Sequence, residues 1–123
     1  MKLNAAATNE DIMEFSDALD LYEGLAQRTS NTSAPRDKLL NAALGLSGEV
    51  GEVNDLIKKY LFQGHELNKN RLIEEAGDVA WYLAELAVAL ETPLSEILIA
   101  NIEKLKRRYP DGFNADRSIN REV

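Results

Sequence analysis

The sequence contains no cysteine and a single histidine among its 123 residues. Without cysteine the chain can form no disulfide framework, no zinc-thiolate site and no thiol nucleophile. This composition fits a reducing compartment, so we expect a cytoplasmic protein. The N-terminal residues lack a basic flank followed by an apolar core, and no uncharged apolar run approaches the length of a membrane span. We therefore expect neither a targeting signal nor a membrane partner.

Basic residues are also scarce, because 14 Lys and Arg stand against 21 Asp and Glu, for a net charge of −7. Nonspecific binding to a nucleic-acid backbone needs a basic surface, so we expect no nucleic-acid partner. The same charge disfavours docking on an anionic membrane. A ligand that carries phosphate would therefore need a metal ion to bridge it to this chain.

Strand-like alternation is missing, and apolar residues recur instead at the three- and four-residue spacing of amphipathic helices. The predicted helices begin at Thr8, Pro35, Asn68 and the pair Thr92-Pro93, and the first two end near Arg28 and Gly64. These positions follow from capping preferences. We predict one all-α domain over residues 1–123, a bundle of four main helices with a polar start at 1–8 and a turn-rich tail at 109–123.

Two pairs of carboxylates stand three residues apart on the predicted second and third helices. They are Glu49 with Glu52, and Glu75 with Asp78. Residues three apart project from one helix face, so two facing helices would bring all four groups together. The helical spacing places Glu75 nearer the apolar stripe than its neighbour Glu74. Because clustered carboxylates repel one another, we expect a cation among them.

The ligand types indicate which cation is expected. Carboxylates without His or Cys suit Mg²⁺ or Mn²⁺ better than zinc, and a di-iron bundle normally has pairs that end in His. Mg²⁺ commonly binds together with substrate phosphates, so the pattern points to a phosphate ester. Gly48 and Gly51 stand beside these ligands and weaken a helix interior, which predicts that a ligand or neighbouring helix approaches closely there.

Four segments carry a resemblance to a known family. They are Leu44-Gly-Leu-Ser-Gly-Glu-Val-Gly-Glu52, Gly64-His-Glu-Leu67, Glu74-Glu-Ala-Gly-Asp-Val-Ala-Trp-Tyr-Leu83 and Asn101-Ile-Glu-Lys-Leu-Lys-Arg-Arg-Tyr-Pro110. In this order and separation they resemble the MazG-like all-α nucleoside triphosphate pyrophosphohydrolases. The resemblance implies Mg²⁺-dependent cleavage between the α and β phosphorus, with Glu49, Glu52, Glu75 and Asp78 as metal ligands. Many members have Glu where this chain has Gly48, so one carboxylate is missing here.

Within this resemblance, Glu49 is the candidate that accepts a proton from the attacking water, because it lies deepest in the apolar sector of its helix. The candidates for substrate binding are Lys59, Tyr82, Asn101, Lys104 and Arg108. The last two are one helical turn apart and can present positive charge to phosphate oxygens, or they can simply complement the end of their helix. A Trp at the position of Trp81 more often packs in a core or an interface than on a base.

These observations predict an enzyme that hydrolyses nucleoside triphosphates to monophosphates and pyrophosphate. The long second helix carries more apolar surface than its short neighbours can cover, so a homodimer or homotetramer is expected. One alternative is a noncatalytic helical module whose acidic surface binds a basic partner. Another is a phosphohydrolase that acts on a nucleoside diphosphate or a modified nucleotide.

Overall fold

The computed structural model describes residues 7–121, so the start at 1–6 and the last residues at 122–123 lie outside the description. Its helices are α1 Asn9–Gln27, α2 Pro35–Phe62, α3 Lys69–Ala89, α4 Leu94–Arg108 and the short α5 Ala115–Ile119. No strand is assigned within residues 7–121. The predicted all-α class with four main helices is therefore confirmed. Helix α5 was not predicted, because its five residues carry too little periodicity.

Three of the four predicted helix starts are confirmed. Thr8 Oγ1 accepts a hydrogen bond from the Asp11 backbone N–H, and Asp11 accepts one from the Thr8 backbone N–H in return. Pro35 is the first residue of α2, and Asn68 accepts from the Arg71 backbone N–H at 3.0 Å. Each of these contacts spans at most three residues, which is why the sequence reveals them.

The predicted cap of α4 is wrong, because the Thr92 hydroxyl donates to the carbonyl of Leu90 within the preceding turn. Pro93 is the capping position and makes no side-chain cap. Helix α1 supplies an acceptor instead, because Glu23 accepts from the Leu94 backbone N–H at 3.2 Å. Beside it, Asp20 of α1 accepts from the Ser95 hydroxyl at 2.7 Å. The helix start is thus stabilised by tertiary contacts and not by its own flanking residue.

The order of contacts along the chain fixes the directions of the helices. Going up α2, Lys38, Gly45 and Glu49 contact successively earlier residues of α3, so α2 and α3 are antiparallel. Contacts between α1 and α3 advance in the same direction on both helices, from Ala26 with Trp81 to Gln27 with Glu85. The end of α1 therefore lies against the middle of α3, next to the α2 contact.

The buried apolar core of the described chain is small. It consists of Ala26, Ala84, Ala87 and Leu94, with Leu19, Trp81, Ile97 and Leu98 packed against it. Alanines at the centre allow α1, α3 and α4 to approach closely. In contrast, Leu44 and Phe62 on α2 are 66% and 81% exposed. Among residues 7–121, none of the helices is both long and apolar enough to cross a membrane.

Candidate functional site

Three of the four predicted carboxylates converge between α2 and α3. One oxygen each from Glu49, Glu75 and Asp78 lies within 4.8 Å of the others. Glu75 is 9% exposed, whereas its neighbour Glu74 is exposed, as predicted. The three-residue spacing puts Glu75 and Asp78 on one face of α3, and antiparallel packing brings Glu49 opposite them.

The electrostatics of this cluster favour a cation. Burial raises the pKa of Glu49 first, and contact with Glu75 and the negative charges of Asp78, Glu75 and Glu52 raise it further. A positive ion among these oxygens would oppose the repulsion between them. The donors are carboxylate oxygens only, which is the ligand set preferred by hard divalent cations such as Mg²⁺ and Mn²⁺. The residues present therefore fit such an ion.

The fourth predicted ligand, Glu52, is exposed and lies outside the group of three. It is close enough for its charge to act on Glu49. Glu75 has a protein partner, because the Arg71 guanidinium lies 3.3 Å from its Oε1. Sequence reasoning missed Arg71, although its position four residues before Glu75 on one helix was a usable signal.

A cleft of about 320 Å³ opens beside the carboxylates, lined by Thr29, Glu49, Asp78, Trp81 and Tyr82. The two rings meet edge to face, with their centroids 4.9 Å apart. The cleft is thus lined by both carboxylates and aromatic rings.

Tyr22 of α1 also belongs to these surroundings, and sequence reasoning missed it. Its pKa is raised, first by burial and then by the negative charge of Asp78. Nothing in its local pattern separates it from the other apolar-face residues of α1, so the sequence held no signal for this role.

The remaining predicted substrate residues are placed differently. Tyr82 lines the cleft. The Lys59 ammonium is paired with Asp55 at 2.6 Å on the same helix. Asn101 and Lys104 are exposed and Arg108 is half-buried, and within residues 7–121 no α4 side chain lines the cleft. These α4 residues therefore do not line the cleft of their own chain.

Comparison with known proteins assigns the family. The model of the MazG nucleotide pyrophosphohydrolase domain matches residues 38–113, which include all three converging carboxylates. The chain belongs to the MazG nucleotide pyrophosphohydrolase family. It is also similar to the Gene 37 protein of Mycobacterium phage L5, with 37% identity over 112 residues that cover 84% of this chain and 98% of that protein. No solved structure gives a significant match.

The family assignment confirms the resemblance that the sequence motifs carried. MazG enzymes are generally metal-dependent, which agrees with the carboxylate cluster between α2 and α3. The matched MazG region begins at Lys38. Thr29, which lines the cleft, and Tyr22, which lies near Asp78, therefore precede the part that identifies the family.

A buried ion pair between α2 and α3 was not predicted. Lys38 Nζ lies 2.6 Å from Glu85 Oε1, and Glu85 is fully buried. Its other hydrogen-bond donors are Gln27, Ser30, Thr32 and Asn41. Burial alone would raise the pKa of Glu85, but the hydrogen bonds from Lys38, Ser30, Asn41 and Gln27 outweigh it and lower the pKa to about 2. A usable signal was present, because Glu85 is the only charged residue between Val79 and Leu90.

A neighbouring side chain closely approaches the backbone at Gly45, one turn before Gly48, where a close neighbour was predicted. A Cβ at Gly45 would overlap the ring of Tyr82, whereas a Cβ at Gly48 or Gly51 would meet nothing within 4 Å in the described chain. The expectation of a close neighbour at Gly48 and Gly51 is therefore not met within this chain. The antiparallel register of α2 and α3 puts the aromatic ring over Gly45 instead.

Gly45→Ala is expected to displace the Tyr82 ring from the wall of the cleft. We expect a loss of about 1–3 kcal/mol in the free energy of unfolding, as for other overpacked cores, and a raised KM for substrate. Gly24→Ala is the matched control, because Gly24 is also helical and nothing lies within 4 Å of its added Cβ. Urea unfolding measures both, and a stabilised Gly45→Ala protein would contradict the packing described here.

Proposed function

We propose that this protein hydrolyses nucleoside triphosphates to monophosphates and pyrophosphate with Mg²⁺ or Mn²⁺. The observation that carries the proposal is the convergence of Glu49, Glu75 and Asp78 oxygens within 4.8 Å of one another. We propose these groups as the metal ligands, with Glu52 joining them. Membership of the MazG family supports the nucleotide substrate class.

When bound, the cation would offset the charge of the triphosphate and lower the pKa of the attacking water. Glu49 accepts a proton from that water while the water oxygen forms a bond to the α-phosphorus. The bond from the α-phosphorus to the bridging oxygen then breaks, and pyrophosphate leaves. Glu49 is proposed for this role because it lies on α2 and faces the Glu75 and Asp78 oxygens of α3.

The direct test is a panel of ribonucleoside and deoxyribonucleoside triphosphates, incubated with Mg²⁺ and then separated by chromatography. We expect equal amounts of monophosphate and pyrophosphate, and neither product after chelation of the metal. Release of orthophosphate, or cleavage of diphosphates only, would support a different phosphohydrolase. A protein that turns over none of these compounds would contradict the proposal and favour a noncatalytic acidic module.

We also propose that the chain forms a homodimer or homotetramer through α2. Leu40, Leu44, Gly51 and Phe62 lie within roughly 40° of one another around this helix. The three apolar side chains are 51%, 66% and 81% exposed, and Gly51 opens onto the same face. A second copy would cover this surface, and the glycine would let its backbone approach. Light scattering that gives the mass of one chain at micromolar concentration would contradict this proposal.

Lys104→Ala is expected to raise KM and lower kcat, reducing kcat/KM by roughly tenfold. A charge contact to the reacting phosphates strengthens in the transition state, so both constants should change. Because Lys104 does not line the cleft of its own chain, we propose that a neighbouring copy presents it to the phosphates.

Lys106→Ala is the matched control for this prediction, since Lys106 is also on α4 and is ion-paired with Glu103 at 3.6 Å. If the steady-state kinetics of Lys104→Ala match both the control and wild type, the α4 cations only complement the dipole at the end of their helix. Phosphate binding would then rest on the metal or on Lys59.

A further inference from the structure

Two aromatic rings, those of Trp81 and Tyr82, line the carboxylate cleft, and the indole N–H of Trp81 is already engaged. Trp81 Nε1 lies 2.9 Å from the carbonyl of Ala26 and 2.9 Å from Thr29 Oγ1, and it donates to both. An indole has one N–H and no acceptor, so Trp81 can offer a ligand only its ring. The ring therefore serves as an apolar surface, and its orientation depends on the two acceptors.

Thr29 is one of these acceptors, and its hydroxyl is held by the end of α1. Thr29 Oγ1 donates to the carbonyl of Ala26 at 3.0 Å while it accepts from Trp81. Its only proton is thus used inside the protein. Thr29 lines the cleft, but its main action is to hold the Trp81 indole in one orientation.

The loop that carries Thr29 connects α1 to α2 and is polar throughout, with the sequence Thr-Ser-Asn-Thr-Ser-Ala from 29 to 34. Such a loop has no large apolar side chain to anchor it. Two of its hydroxyls bind the buried carboxylate of Glu85 instead: Ser30 Oγ at 2.8 Å and Thr32 Oγ1 at 3.2 Å. Lys38 of α2 also binds Ser30 Oγ, at 2.9 Å. The buried ion pair thus connects α3 and α2 to the loop.

We infer that Glu85 and Thr29 are positioning residues that hold Trp81 as the wall of the cleft facing the nucleoside part of the substrate. The inference rests on the proposed function, which places the phosphates at Glu49 and Asp78. Trp81 and Tyr82 line the same cleft as those carboxylates, so their rings are available to the base or sugar of a nucleotide bound there. Rings in this position give affinity by stacking and by excluding water. The substrate preference of this chain accordingly depends on a loop that precedes the matched MazG region.

Thr29→Val is the first test, because it keeps the shape of the side chain and removes its hydroxyl. We expect KM for the preferred triphosphate to rise about fivefold, as for one lost hydrogen bond, with kcat within about twofold. Acrylamide quenching of the single Trp fluorophore in the free protein should increase. Thr29→Ser should restore both values. Thr92→Val is the matched control. It also removes a hydroxyl that donates to a backbone carbonyl, but this hydroxyl lies just beyond the C-terminal end of α3.

Glu85→Gln is the second test, and it is expected to have the same effect on Trp81 quenching and KM as Thr29→Val. The inference is overturned if Thr29→Val quenches like wild type and keeps its KM. It is also overturned if Thr29→Val lowers kcat as much as it raises KM, because that would place Thr29 in the chemical step. A wild-type protein that releases no pyrophosphate would contradict the proposed function separately, since quenching of Trp81 needs no substrate.

Discussion

Asp78→Asn is expected to reduce the release of pyrophosphate by roughly a thousandfold, because several kcal/mol of transition-state stabilisation depend on the bound cation. The same change should leave the metal-free protein at least as stable as wild type. It removes one charge from a cluster whose oxygens lie within 4.8 Å of one another. In wild type, added Mg²⁺ should raise the melting temperature, since a ligand that binds only the folded state stabilises it. The variant should lose that increase.

Glu74→Gln is the matched control for Asp78→Asn. Glu74 is on the same helix and is exposed, and it stands outside the carboxylate cluster. We expect it to keep wild-type turnover and the wild-type response to Mg²⁺. Full activity of Asp78→Asn would remove this residue from the metal site. If instead the variant unfolds without metal, the carboxylate has a structural role.

Lys38→Met is expected to lower the free energy of unfolding by about 3–5 kcal/mol, the largest stability effect predicted for this protein. It leaves the fully buried carboxylate of Glu85 without its charged partner. The double variant Lys38→Met with Glu85→Gln should lose less, because the amide removes the buried charge and its one oxygen can still accept a hydrogen bond from either Ser30 or Thr32. Urea or thermal unfolding followed by circular dichroism measures these differences.

An exposed ion pair provides the comparison for Lys38→Met. Asp55 pairs with Lys58 and Lys59, and its side chain is 37% exposed. Asp55→Asn should change stability by less than about 1 kcal/mol, since solvent screens such pairs. Equal losses in Lys38→Met and Asp55→Asn would mean that burial adds nothing to the Lys38 interaction.

The low pKa of Glu85 predicts how stability depends on pH. The folded protein holds this pKa at about 2, against an ordinary value of 4.5. Because the unfolded chain binds this proton more readily, the contribution of Glu85 is complete above about pH 4.5 and is lost as pH falls toward 2. The shift corresponds to about 3 kcal/mol. Glu85→Gln should lack this part of the acid destabilisation, and an unchanged pH profile would contradict it.

The helices and the site differ in how well the sequence anticipated them. Apolar spacing, the caps at Thr8 and Asn68 and the first-turn proline Pro35 placed three helix starts correctly, and carboxylate spacing selected Glu75 over Glu74. The predicted cap of α4 was wrong, because the acceptor for the Leu94 backbone N–H is Glu23 on another helix.

The residues around the carboxylates were harder to find for the same reason. Lys38 with Glu85, Gly45 with Tyr82, and Thr29 with Trp81 each join positions far apart in the chain. A helical pattern indicates which face of a helix is apolar, but not which residue of another helix lies opposite. Glu85 was detectable as an isolated charge in an apolar run, whereas nothing local distinguishes Thr29 or Tyr22.

The amino-acid order was sufficient for the features that arise within a few residues: the all-α class, most helix ends, the paired carboxylates and the family motifs. Helix periodicity and capping are local interactions, so they can be recognised without knowing the fold. Tertiary packing alone decided that Glu49 meets Glu75 and Asp78 while Glu52 stays exposed, and that the α4 cations lie outside the cleft of their own chain. Those outcomes depend on the register and rotation of helices against one another, which are set by the combined packing of many distant side chains.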